Sequence, residues 1–189
     1  MPMAKKKTKA RLSGRERARQ QRRRRTLQKR LLQAAIGLIV VLLAAGVIYM
    51  ATRPKPGEAV PSLGNAHIQP PQEATYNTRP PTSGPHFSGH ARWGVHSEPI
   101  VDELAVHNLE DGGVLVQYDC PDESDALIGQ LVGVMDNYAN QVIIAPYPDM
   151  ETRIALTAWG RIDTFDEFDE DRIVQFIEAY RGIDHHPGR

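Results

Sequence analysis

Four histidines, His86, His90, His96 and His107, fall within twenty-two positions of one another, and Glu110 and Asp111 follow directly behind them. Imidazole nitrogens suit divalent zinc, copper, nickel or iron, and carboxylate oxygens commonly complete such a ligand set. His86 and His90 share a spacing that brings two rings to one side of a helical turn. His107 can reach them across a fold. The residue types therefore point to a site for a divalent transition metal, zinc or copper, with His86, His90, His107 and Asp111 as its ligands. The wider binding set is Ser83, His86, His107, Glu110 and Asp111. His67, His185 and His186 lie outside this group, and the last two sit in what reads as a frayed, dispensable end.

Two other chemistries deserve weighing. Ser83 and His86 could pair as nucleophile and base within Thr82-Ser83-Gly84-Pro85-His86, with Glu110 or Asp111 orienting the ring. The same Pro and Gly string more readily builds a rigid turn in which Ser83 caps neighbouring backbone groups. Cys120 is the only cysteine in the chain. It lies where a strand ends and a helix opens, a place that can activate a thiol. It has no second cysteine to resolve a disulfide, and Asp119 and Asp122 oppose a thiolate, which favours a structural cysteine. Trp93, Trp159 and Tyr118 are expected to fill the core.

The elements that must position these side chains lie in the second half of the chain. Residues 76–99 hold Pro80, Pro81, Pro85 and Pro99 with Gly84, Gly89 and Gly94, which predicts a long loop rather than a helix. Val114 to Tyr118 is a short apolar run bounded by Gly112, Gly113 and Pro121, and it predicts a buried strand. Glu123 to Tyr138 carries apolar residues at helical spacing, with Asp122 or Ser124 as the N-cap. Gln141 to Ala145 and Arg153 to Gly160 predict two further strands. Asp169 to Arg181 predicts a helix with an apolar stripe of Ile173, Phe176, Ile177 and Tyr180 and a terminating Gly182. The order β-α-β-β-α defines an α+β class, a small sheet with two packed helices, compatible with the second half of a thioredoxin-like fold.

Charge divides the chain sharply. Residues 5–30 contain fourteen Lys and Arg and one acid, while the rest holds nine basic and twenty-two acidic residues, a formal balance of −13 hidden inside a net charge of zero. Between them, Leu31 to Met50 runs for twenty residues without a charge. A helix of that length, at about 1.5 Å per residue, spans the hydrocarbon core of a bilayer. The positive-inside rule puts the basic flank in the cytoplasm and the acidic remainder outside, at the cell membrane. The expected organisation is a basic tail (1–30), a transmembrane helix (31–50), a Pro-rich linker (51–72), a head (73–182) and a flexible end (183–189). The lipid bilayer is then the first partner, with anionic headgroups attracted to the tail. Lipid is the nearest polyanion, so no nucleic-acid partner is expected.

Four strings carry a family resemblance: Tyr76-Asn77, Pro80 to His86 (PPTSGPH), Val106 to Glu110 (VHNLE) and Ala155 to Arg161 (ALTAWGR). Together they resemble the bacterial family catalogued as domain of unknown function 3105 (DUF3105), over about residues 73–181. The resemblance implies a head following a single membrane helix and supplies no activity. The family's second motif ends in His-Gly, whereas this chain has Asp111-Gly112, so an oxygen replaces a nitrogen in any ligand set implied there. The chain thus reads as an anchored extracytoplasmic binding module rather than an enzyme, its head recognising a protein or small ligand. The competing classes are a structural interaction domain without chemistry and a single-Cys redox protein.

Overall fold

The computed structural model describes residues 14–120, 125–138 and 140–186. The chain divides into two units, Met1–Pro54 and Lys55–Arg189. In the first, helix α1 (Gly14–Thr52) runs unbroken from the basic segment through the apolar one. Its stretch Gln21–Tyr49 is long and apolar enough to cross a membrane, by length and composition. Its leucines, isoleucines and valines are exposed within the chain.

The second unit is a mixed α/β domain. In chain order it contains β1 (Glu58–Ala59), β2 (His67–Ile68), β3 (His86–Phe87), β4 (Gly94–Val95), α2 (Asp102–Glu110), β5 (Val114–Tyr118), α3 (Asp125–Val134, extended by a 3-10 turn to Asn137), β6 (Val142–Pro146), β7 (Ile154–Ala158), β8 (Arg161–Phe165) and α4 (Glu170–Tyr180). Six strands form one sheet in the order β1-β8-β7-β5-β6-β4, and β2 and β3 pair separately. Central β5 runs parallel to β6 and antiparallel to β7.

Both faces of the sheet are covered, which is why its middle strands read as nearly continuous apolar runs. On one face Val114, Val116, Val142, Ile144 and Leu156 meet Leu127 and Leu131 of α3 and Ile173, Phe176 and Ile177 of α4. Each such side chain contributes about 1.5–3 kcal/mol when fully buried. The caps expected at Asp122 or Ser124 lie outside the described residues. At α4, Asp169 accepts a hydrogen bond from the Arg172 amide (3.0 Å), the N-cap arrangement.

On the other face Leu115, Ile143 and Ala145 pack against Ala105 and Leu109 of α2, with Trp93 and Trp159 at the edge. This layer goes beyond the two-helix expectation. α2 shows no apolar stripe because it is buried on several sides, including through Glu103, His107, Asn108 and Glu110. The strand expected over 153–160 is β7 alone. A tight turn at Trp159-Gly160, where Gly160 has φ +67°, returns the chain as β8. Residues 51–72, read from the sequence as a linker, are not all free of the domain. β1 pairs with β8, Val60 donates to the Gly160 carbonyl (3.0 Å), and β2 pairs in parallel with β3, matching His67 to His86.

Candidate metal centre

The face of the sheet that carries α2 also carries the histidines. The β2–β3 pair sets His67 beside His86, closed by the His86 amide donating to the Ala66 carbonyl (3.0 Å). The turn before β3 is built as its Pro and Gly content requires. Gly84 has φ +132°, and a Cβ there would meet the Tyr76 ring at 3.1 Å. The Tyr76 hydroxyl donates to the Pro85 carbonyl (2.8 Å). Ser83 is buried, and its hydroxyl oxygen accepts the Leu63 amide (3.1 Å), so in this fold it holds the turn.

α2 presents His107, Glu110 and Asp111 from its last turn and the residue that follows. That turn ends at Gly112 (φ +79°), where a Cβ would come within 2.8 Å of the Ile183 backbone. The same close approach lets the C-terminal segment fold back. Gly182 donates to the Gly112 carbonyl (2.8 Å) and His185 to the Glu110 carbonyl (2.9 Å), which delivers His186 to the cluster.

The rings of His86 and His107 lie edge to face with centroids 5.1 Å apart, and His67 contacts both, at 4.8 and 5.4 Å. The Glu110 side chain is 1 % exposed. Its Oε1 accepts the Asn65 amide (2.8 Å). Its Oε2 faces three imidazole nitrogens, His86 Nε2 at 3.0 Å, His186 Nε2 at 3.3 Å and His67 Nε2 at 3.8 Å. His67, His86, His107 and Glu110 offer donor atoms that all lie within 4.8 Å of one another, and so do His107, Asp111 and His186.

On His86, His107 and His186 the opposite ring nitrogen is engaged elsewhere. His86 Nδ1 lies 2.8 Å from the Gly84 carbonyl oxygen, His107 Nδ1 2.8 Å from that of Phe87, and His186 Nδ1 2.7 Å from Asp184 Oδ1. An acceptor on Nδ1 fixes the tautomer and leaves the Nε2 lone pair directed at the cluster, as in ligating histidines. Burial pushes the His107 imidazole below its ordinary pKa, opposed by the Phe87 carbonyl and Asp111. Its neutral, ligating form is thereby favoured.

Of the residues read from the sequence, His86, His107, Glu110 and Asp111 are together here. His90 stands apart from both donor groups: its Nδ1 lies 2.9 Å from the Ala91 carbonyl oxygen, and its ring stacks on Trp93 at 5.9 Å, with His107 at 6.2 Å. His96 turns back to the Arg92 carbonyl. His67 and His186 were not foreseen. Their only sequence signal is their residue type, since nineteen and seventy-nine positions separate them from His86 and His107. The two tryptophans pack beside the core, and Trp159 also touches the cluster, standing edge-on to His86 (6.3 Å) beneath a stacked His185 (5.8 Å). Cys120 is half-buried, with Arg153 Nη2 4.0 Å from its sulfur.

A mixed α/β domain with a convergent His/Glu cluster, preceded by an apolar helix, is the class these observations define. The chain belongs to the family described as protein of unknown function (DUF3105), whose model matches residues 67–189 and so begins at His67 itself. No curated protein and no solved structure matches the chain.

Proposed function

We propose that this protein is a membrane-anchored metal-binding module that holds one divalent transition-metal ion, zinc or copper, through His67, His86, His107 and Glu110. α1 spans the membrane with its basic end in the cytoplasm, which puts the head outside. One observation carries the reading. His86 has a carbonyl oxygen at Nδ1 and the buried Glu110 carboxylate at Nε2, both acceptors. A neutral imidazole has one N–H, so it cannot satisfy both. A cation between Nε2 and Oε2 resolves the conflict and balances a carboxylate that is costly to bury unpaired. Tetrahedral ligands on bonds of about 2 Å lie about 3.3 Å apart, so the group closes on an ion by side-chain shifts on the order of 1 Å.

The test uses the full chain purified in detergent, with zinc and copper affinities measured by competition against a chromogenic chelator. One ion per chain is expected, and His86→Ala or His107→Ala should lose most of the affinity, with Glu110→Gln losing about 10- to 100-fold. Wild-type protein that fails to compete for either ion would sink the reading. It would leave a hydrogen-bonded His/Glu cluster without a metal instead.

A further inference from the structure

The two donor groups share His107, and this carries an inference that rests on the proposed metal centre and extends it. We propose that His107, Asp111 and His186 form an outer transit site through which the ion enters and leaves the inner site. His107 has one nitrogen to give, because Nδ1 lies against the Phe87 carbonyl. One lone pair cannot serve two ions, so the sites are occupied in turn rather than together.

Burial gives the direction. The side chains of His86 and Glu110 are 0 % and 1 % exposed and those of His186 and Asp111 22 % and 30 %, while the inner ligand His67, at 45 %, marks the alternative way in. The outer group offers three donors and the inner group four, so the ion is held more weakly outside. His186 reaches both. Its Nε2 is 3.3 Å from Glu110 Oε2, and its Nδ1 is oriented by Asp184. The His185 amide fastens this segment to the carbonyl of Glu110, the residue that supplies the inner carboxylate.

The step is ligand exchange without redox change. A hydrated ion loses waters to His186 Nε2, an Asp111 oxygen and His107 Nε2. It keeps His107 while Glu110, His86 and His67 bind and His186 and Asp111 release it to be rehydrated themselves. A route that speeds entry and exit equally leaves the equilibrium unchanged.

Stopped-flow uptake and chelator-driven release of zinc, on the full chain in detergent, test this with His186→Ala, His186→Gln and Asp111→Asn beside His86→Ala. The outer variants should slow uptake and release alike, by about tenfold, and leave Kd near wild type, whereas losing an equilibrium ligand costs about 10- to 100-fold in affinity. Unchanged rates would overturn the proposal and place the route past half-exposed His67. An outer variant that loses as much affinity as His86→Ala, or two ions held at once, would overturn it too. If wild type holds zinc in none of these assays, the metal centre itself fails; rapid binding that is insensitive to His186 and Asp111 removes only the transit site.

Discussion

Asp102 opens α2 at the edge of a groove that it shares with Tyr76, Arg79, Glu103 and Tyr147, and its carboxylate accepts the Tyr147 hydroxyl (3.1 Å). Burial, helped by Glu103, raises its pKa above 3.8, against the Tyr147 hydrogen bond and Arg79. The native state therefore keeps this proton to higher pH than the unfolded chain does. Its contribution to stability is fully present below about 3.8 and declines as pH rises through the native value. Asp102→Asn keeps an acceptor for Tyr147 and removes the charge. Its Tm relative to wild type should accordingly improve as the pH of a thermal melt is raised from about 3.5 to 7. A difference that stays flat or moves the other way would show that the helix N-terminus stabilises this carboxylate more than burial penalises it.

At the scale of elements, α2 is the piece on which the site depends, and Asn108 fastens it. Its side chain accepts the Ala91 amide (2.8 Å) and donates to the Ala91 carbonyl (2.9 Å), closing a two-bond clamp between the helix and the loop before β4. Asn108 is fully buried. Asn108→Ala would leave the Ala91 amide without its partner and the Ala91 carbonyl with His90 Nδ1 alone, and an unsatisfied buried polar group costs about 1–3 kcal/mol. The unfolding free energy from urea titration should fall by that amount, through a lower midpoint at unchanged slope. Gly113 packs the other end of the same unit. A Cβ there would sit 2.5 Å from the Asn108 carbonyl oxygen and 2.7 Å from Trp93, so the α2–β5 connection tolerates no side chain.

For the whole molecule, the charge division sets the expected topology. Fourteen basic residues precede the apolar span, and only Arg53 and Lys55 follow it closely. A reporter active only outside the cytoplasm, fused after Arg189, should be active, and one active only inside should be silent. The opposite pattern would refute an outward-facing head. With the head outside, the proposed site would draw its ion from the extracytoplasmic space.

The span, the charge asymmetry, β5, β6, α3 and α4 were legible in the sequence because each depends on local periodicity or composition. Twenty uncharged residues admit few structures, and Ile173, Phe176, Ile177 and Tyr180 mark one helical face without reference to anything else. β8 was not legible: Arg161 to Phe165 alternates weakly, and only its pairing with β7 makes it a strand. α2 escaped because its buried surface mixes Ala105, Val106 and Leu109 with Glu103, His107, Asn108 and Glu110, and a hydrophobic pattern cannot report burial achieved through hydrogen bonds. The candidate site divides in the same way. His86, His107, Glu110 and Asp111 were recognisable by residue type and nearness in sequence, whereas His90 has the same type and better spacing yet faces Trp93. His67 and His186 enter through a parallel strand pair and a folded-back terminus. Sequence therefore determined which chemistry was available, because composition and local spacing are properties of the chain itself. Tertiary structure decided which nitrogens meet at Glu110, because convergence depends on long-range pairings whose partners are not neighbours in sequence.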